Sequence, residues 1–448
     1  MFQKVLIANR GEIAVRVIRA CREMGVKTVA VYSEADTDSL HVHLADEAVC
    51  IGPAPSSESY LNGARIISAA LATRANAVHP GFGFLSEKSK FAEQCLSSRL
   101  TFIGPPAEVI NKMGNKSEAR RTMKNAGVPV IPGTDEAVSD AADGKKIADE
   151  IGYPVMIKAA FGGGGKGMRL CDSPDAFIHL FQVAQRESIN AFSADSMYIE
   201  KCIIKPRHIE LQILADRFGN TIQLGERDCS IQRRHQKMIE EAPSSVVDPQ
   251  LRERMGNIAV LAAQAVNYEN AGTIEFLLDK DGSFYFMEMN TRIQVEHPVT
   301  ELITGVDMVR EQICIAAGYP LSFKQSDVNI RGHAIECRIN AEDPKKKFMP
   351  CPGKVSYIHI PGGNGVRVDT AVFSGYAIPP FYDSMIMKAV AYARDRNAAI
   401  DKIRSVMGEL IIEGVTTNVD FLFEIINSEG FRKGDFNTHF IQDFMGTE

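Results

Sequence analysis

The chain has little that would place it in a membrane or on a nucleic acid. No apolar run approaches the length of a membrane span. The opening Met1-Phe2-Gln3-Lys4-Val5-Leu6-Ile7 is too short for a signal peptide and reads as a buried first strand. A cytoplasmic protein without a membrane partner is the expectation. Positive charge is not in excess: 50 Lys and Arg against 56 Asp and Glu give a net −6, which argues against a nucleic-acid partner. Paired CxxC spacing is absent. The nine cysteines are scattered, several within apolar runs, as reduced thiols that pack like small hydrophobes. There is no internal repeat and no low-complexity tract. The first strand leads into Asn9-Arg10-Gly11-Glu12, which lacks the full GxGxxG spacing, and the later Gly-rich segment is not a GxxxxGK[ST] loop, so NAD and P-loop chemistry are not inferred.

The 448 residues suffice for two or three domains, with 24% charged and 45% hydrophobic residues as in ordinary soluble proteins. Up to about Gly104, short apolar runs alternate with amphipathic stretches, the pattern of a parallel α/β sheet. Strands are expected at Lys4–Ala8, Thr28–Tyr32, Ala48–Ile51, Ala77–His79 and Thr101–Ile103, with a helix at Ile13–Met24. Gly104-Pro105-Pro106 ends that unit, and a helix is expected around Asn115–Asn125. A small region from Pro132-Gly133 to about Ile203 holds strands Tyr153–Ala159 and Met197–Glu200. From Lys205 the chain reads as hairpins first, then α+β. Lys345-Lys346-Lys347 reads as a solvated basic loop.

The densest chemistry lies in Glu288-Met289-Asn290-Thr291-Arg292-Ile293-Gln294-Val295-Glu296-His297-Pro298, directly after the apolar Phe284-Tyr285-Phe286-Met287. Its carboxylate and amide suit a hard divalent metal, and its Arg and second Glu suit an anion and a proton transfer. Upstream, Asp281-Gly282 is a two-residue type I′ hairpin signal. That loop sets Lys280 against Ser283 and Glu275 against Glu288, so Glu275, Glu288 and Asn290 share a face on which Mg²⁺ with nucleotide phosphates would relieve repulsion.

Three further segments carry chemistry. Lys158 ends a strand and leads through Gly162-Gly163-Gly164-Gly165, whose backbone N–H groups can approach a phosphate closely. Glu200-Lys201-Cys202-Ile203 follows a strand whose backbone can bond an adenine edge. In Glu226–Lys237, alternation sets Arg233, His235 and Lys237 on one side of an extended segment, facing an anion.

Together with Ile7-Ala8-Asn9-Arg10-Gly11-Glu12-Ile13-Ala14, His79-Pro80-Gly81-Phe82-Gly83-Phe84-Leu85-Ser86-Glu87 and Phe102-Ile103-Gly104-Pro105, these motifs resemble the ATP-grasp superfamily, specifically its biotin carboxylases, across essentially the whole chain. The resemblance implies a mixed α/β and α+β, three-domain ATP-grasp fold. Its parts would be a Rossmann-like domain over 1–114, a helical linker over 115–130, a glycine-flap lid over 131–203 and a catalytic and C-terminal domain over 204–448. It implies that Lys116, Lys158, Gly164 and Gly165 contact ATP phosphates, that Glu200, Lys201 and Ile203 hold adenine, and that His208, Gln232 and His235 line the nucleotide site. Glu275, Glu288 and Asn290 would bind Mg²⁺ or Mn²⁺. Lys237, Arg292, Gln294 and Val295 would hold bicarbonate, Glu296 would take its proton, and Arg338 would face the biotin ureido oxygen.

The sequence departs from the family pattern at Phe82, where many relatives carry Tyr, and at Asn364, where some carry an aromatic residue. The family's homodimer contact maps to Arg16, Arg19, Glu23 and Arg367; periodicity alone gives the first three a solvated helix face. No Ala-Met-Lys-Met biotinylation tetrapeptide occurs. The resemblance therefore implies biotin on a separate carrier protein, a separate carboxyltransferase, and the multi-component organisation of a bacterial acetyl-CoA carboxylase. A pyruvate or other acyl-CoA carboxylase is the alternative.

Overall fold

The computed structural model describes residues 1–134, 136–159, 168–192 and 195–446. The expected glycine turn, with Gly164 and Gly165, lies outside the described residues. Two compact units emerge. One comprises Met1–Val128, Arg207–Phe276 and Glu288–Glu448, the other Pro129–Pro206 and Leu277–Met287.

The first unit opens with a five-stranded sheet of β1 (Lys4–Ile7), β2 (Lys27–Tyr32), β3 (Glu47–Cys50), β4 (Ala77–His79) and β5 (Thr101–Phe102). All its neighbours run parallel, in the order β3-β2-β1-β4-β5 of a Rossmann-like sheet. Alternation along β1 explains both faces: Val5 and Ile7 join one core with Ile13, Val17 and Ile18, while Leu6 and Ala8 join another with Ile66 and Phe91. Helix α1 (Gly11–Glu23) supplies the first set. The Asn9 amide donates to the carbonyls of Pro80 and Phe82, both at 2.7 Å, joining the two N-terminal motifs. Gly81 allows this approach, since at φ +62° a Cβ would lie 2.9 Å from the Asn9 Nδ2.

The second unit contains the antiparallel sheet β7-β6-β8: β6 (Val155–Ala159), β7 (Met168–Cys171) and β8 (Met197–Lys201). Phe177 and Phe181 of helix Pro174–Phe192 pack with Ala148, Val155, Ile157 and Ile199 to form its core.

The larger sheet begins with β9 (Arg207–Ala215), β10 (Thr221–Arg233), β11 (Gln236–Ala242), β12 (Asn270–Leu278), β13 (Phe284–Asn290) and β14 (His333–Asn340). Its order is β13-β12-β9-β10-β11-β14, continued by strands Met385–Ala393 and Val366–Thr370. From β9 through Val366–Thr370 each neighbour is antiparallel. One face of β11 and β14 gives Ile239, Ile335, Cys337 and Ile339 to the C-terminal core, with Ile400, Ile403 and Phe431. The other face carries polar groups and the covering helix His297–Thr304.

Two expected turns differ. Arg233, His235 and Lys237 do not share one extended segment: β10 and β11 form a hairpin that pairs Arg233 with Gln236 and Gln232 with Lys237. Arg234 and His235 make the two-residue turn with φ 49° and 65°, a conformation the sequence does not advertise with Asn or Gly. The β12–β13 loop is one residue longer than expected. Asp279 N–H donates to the Ser283 carbonyl, and Gly282 N–H, at φ 81°, closes onto Asp279. Lys280 therefore does not face Ser283 as the two-residue loop required, although the Asn290 amide still reaches Glu275 at 2.7 Å.

Candidate active site

Lys237 is the hub of the first unit's polar face. Its ammonium donates to Glu210 at 2.6 Å, Glu275 at 3.0 Å and Glu296 at 2.6 Å. Burial alone would lower the Lys237 pKa, but these carboxylates drive it well above the usual lysine value. Burial would likewise raise Glu296, yet Lys237, Arg338 and Arg227 outweigh it and hold the carboxyl below its ordinary range. Glu296 is ionised at neutral pH as a result.

Local structure aims Glu296 inward. It sits at the N-cap of helix His297–Thr304 without bonding the helix's own N–H groups, and the helix N-terminus favours its negative charge. Its second oxygen accepts from the Arg338 NH2 at 2.9 Å. Arg338 lies on β14 and its Nε donates to Glu240 at 2.5 Å. The loop before Glu296 is fixed from both sides: Lys388 donates to the Val295 carbonyl at 2.9 Å, and His297 Nδ1 meets the Gln294 carbonyl at 2.8 Å.

Beneath them lies Arg227, fully buried. It donates to Glu210 at 2.5 Å, Gln212 at 2.7 Å, Thr300 at 3.0 Å, Thr273 at 3.2 Å and Gln294 at 2.6 Å. Gln294 passes its amide on to Glu275 at 2.9 Å. Sequence reasoning missed Arg227, Glu210, Glu240 and Glu87. The available signal was the run Glu226-Arg227-Asp228, three charges inside a strand flanked by Leu224 and Ile231.

Arg292 donates to Glu87 at 2.9 Å and to the Asn290 oxygen at 2.9 Å, and Asn290 in turn donates to Glu275 at 2.7 Å. His208 Nε2 lies 3.0 Å from Glu275, whose pKa falls well below its ordinary value because Lys237 and His208 overcome burial. Glu288 stands in a different environment, 38% exposed and 3.4 Å from Lys116, itself 85% exposed. Gln232 and His235 line a cavity of about 470 Å³ with Thr438, His439 and Gln442. The structure thus brings Lys237, Glu275, Asn290, Arg292, Gln294, Glu296 and Arg338 into one bonded network.

In the second unit Lys158 and Glu200 form an ion pair across β6 and β8. Lys201 donates to the carbonyls of Gly152 at 2.9 Å and Tyr153 at 3.0 Å, and Ile203 is half-buried beyond the strand.

For a cation, the oxygens of Glu275, Glu288 and Asn290 are of the right chemical kind. The Glu288 carboxylate is open, whereas Glu275 and Asn290 now bond one another and would exchange that bond for an ion. Among the described residues, His208–Glu210–Glu275 and Glu210–Cys229–Glu296 also cluster closely enough to share an ion. In both, the Lys237 ammonium already bonds two of the carboxylates and serves the neutralising role.

The helix-face expectation needs correction at Arg16. It is buried, donating to Glu301 at 2.9 Å and Asp307 at 2.7 Å, because the neighbouring helices Glu301 and Asp307 belong to supply its counter-charge. Arg367 bonds Glu301 and Asp369, both at 2.7 Å, while Arg19 and Glu23 are exposed.

Three family models tile the chain: "Biotin carboxylase, N-terminal domain" over residues 1–110, "Carbamoyl-phosphate synthase L chain, ATP binding domain" over 115–324, and "Biotin carboxylase C-terminal domain" over 336–443. With the fold above, they define an ATP-grasp ligase. The chain belongs to the biotin carboxylase family. It is 57% identical over 442 residues to a biotin carboxylase of a Nostoc species, covering 99% of each chain. It is 54% identical over 444 residues to one of the pyruvate carboxylase subunits of Methanothermobacter thermautotrophicus, covering 99% of this chain and 90% of that one. A solved structure, the biotin carboxylase domain dimer of Hydrogenobacter thermophilus 2-oxoglutarate carboxylase with MgADP, ADP and bicarbonate, matches at TM-score 0.88 and 49% identity, covering 99% and 98%.

Proposed function

We propose that this chain carboxylates biotin carried on a separate protein, using ATP and bicarbonate through carboxyphosphate, as the first half-reaction of an acetyl-CoA carboxylase that feeds malonyl-CoA to fatty acid synthesis. The observation that carries the reading is Glu296, ionised and shared between Lys237 at 2.6 Å and Arg338 at 2.9 Å. A pyruvate or other acyl-CoA carboxylase is the second reading, supported by the Methanothermobacter relative, which is part of a pyruvate carboxylase. The working form is a cytoplasmic homodimer served by a biotin carboxyl carrier protein and carboxyltransferase subunits. Among the described residues no helix is long and apolar enough to cross a membrane.

Bicarbonate is a poor nucleophile, so a base must take its proton as it attacks the γ-phosphoryl group. Glu296 accepts that proton, while Lys237, Arg292, Gln294 and the Val295 segment hold the anion. Arg292 would trade Glu87 for bicarbonate on loading. Lys116, Lys158, Gly164 and Gly165 serve the phosphates, Glu200, Lys201 and Ile203 the adenine, and His208, Gln232 and His235 the rest of the nucleotide. Mg²⁺ or Mn²⁺, held by Glu275, Glu288 and Asn290, would supply charge neutralisation on the phosphates. Carboxyphosphate then yields CO₂ and phosphate, the phosphate takes the biotin N1′ proton, and N1′ attacks CO₂. Arg338 stabilises the negative charge on the ureido oxygen. Exclusion of water protects the intermediate.

The test is bicarbonate-dependent ATP hydrolysis with and without free biotin. Stimulation by biotin is expected; none at high concentration would remove the assignment.

A further inference from the structure

Strands β11 and β14 pair antiparallel, and their register sets Glu240 directly opposite Glu336. Both residues are fully buried. Like charges in that position repel, and a cross-strand pair of them destabilises a sheet. One guanidinium reaches the pair, through the Arg338 Nε bond to one Glu240 oxygen. The other Glu240 oxygen and both oxygens of Glu336 are buried without a hydrogen-bond partner among the described residues. Buried acceptors without donors are costly. A proton on Glu336, donated to the free Glu240 oxygen, would remove the repulsion and give orphaned oxygens on both residues a partner.

We propose that Glu240 and Glu336 hold one proton between them, carried by Glu336, and that the Glu240 carboxylate is a positioning residue that fixes the Arg338 guanidinium toward Glu296. The role of Arg338 in this proposal rests on the function proposed above; the shared proton does not.

The charged surroundings agree. Arg338 faces the pair from β14, Lys237 from β11, Glu296 from the start of helix His297–Thr304, and Lys388 from strand Met385–Ala393. Burial pushes Glu240 up to about 7, with Arg338 drawing it down and Glu296 adding to the rise. Glu336 goes well above the ordinary carboxyl range, from burial first, with Lys388 opposing and Glu240 reinforcing. Glu240 has the Arg338 bond and both Glu336 oxygens have no donor, so Glu336 is the member that keeps the proton. The device differs from Glu296, whose two cationic partners keep it ionised.

Infrared difference spectroscopy of the full chain near neutral pH tests the proton directly. Wild type minus Glu336→Gln should show the C=O stretch of a protonated carboxyl that shifts in D₂O; no such band overturns the pair. Kinetics test the positioning. Glu240→Gln keeps an oxygen for Arg338 but no charge, and should lower biotin-dependent turnover about tenfold, at least about fivefold more than biotin-independent, bicarbonate-dependent ATP hydrolysis. Glu336→Gln, whose NH₂ stands in for the carboxyl proton, should hold biotin-dependent turnover within about twofold. Equal losses in both activities for Glu240→Gln, or equal damage from the two variants, overturn the positioning role. Should wild type show no biotin stimulation, the proposed function falls while the infrared band still decides the shared proton.

Discussion

Lys237 on β11 and Lys388 on strand Met385–Ala393 are both buried among carboxylates on the same sheet. Lys237 keeps 12% of its side chain exposed and divides its ammonium among Glu210, Glu275 and Glu296. Lys388 has no exposed surface; it bonds the Val295 carbonyl at 2.9 Å and faces Glu12 at 3.1 Å and Asp369 at 3.8 Å. The partners of Lys237 are side chains that an incoming anion or cation can replace. Those of Lys388 include a backbone carbonyl, and the Lys388 side chain itself is closed to solvent. One lysine is placed for exchange and the other for support. The loop 291–296 lies between them, with Glu296 on the first and the Val295 backbone on the second.

The largest expected effect falls on the exchangeable side. Glu296→Gln should cut bicarbonate-dependent turnover by about 10²–10⁴ while nucleotide affinity, read by calorimetry, is retained. Normal turnover would remove Glu296 as the base. On the supporting side, Lys388→Met leaves Glu12 and Asp369 buried without that cation and should cost about 3–5 kcal/mol in urea unfolding. Lys237→Met should cost less, because Glu210 keeps Arg227 and Glu296 keeps Arg338, whereas both Glu12 oxygens have no hydrogen-bond partner among the described residues; equal costs would break the comparison. Glu288→Gln should weaken Mg²⁺-nucleotide binding by about tenfold or more, and an unchanged Mg²⁺ dependence would count against its place in the metal set.

A smaller effect sharpens the contrast with a buried group away from either lysine. Burial lowers His79 from 6.5 to about 4, and its Nδ1 accepts from Gly81 N–H at 3.0 Å. The unfolded chain therefore binds more protons than the folded one between those values. The stability that neutral His79 contributes is present above 6.5 and is lost as pH falls toward about 4. His79→Gln should be less stable than wild type at pH 8, and the gap should narrow by up to about 2 kcal/mol as pH falls from about 6.5 to about 5. A gap independent of pH would show that His79 is not buried neutral.

The N-terminal sheet was legible because each strand is a short apolar run bounded by polar turns: the expected Ala77–His79 is the observed β4, and Thr28–Tyr32 falls within β2. The polar loop 288–298 stood out because its polar residues follow one another in the chain. The Arg234–His235 turn was not, since both residues take positive φ without the Asn or Gly that announces it. Arg227 was hidden for another reason. A fully buried guanidinium is stable only with its partners, and those stand 15 to 73 positions away. Local patterning cannot reach that far. The Glu240–Glu336 pair is similar, because its meaning depends on a register that only the folded sheet supplies.

The most direct measurement follows the carbon of labelled bicarbonate into free biotin, with ATP and Mg²⁺ present. Label in biotin that requires ATP and disappears in Glu296→Gln is the predicted result. ATP hydrolysis without label in biotin, or label that survives the loss of the Glu296 carboxylate, would contradict the account.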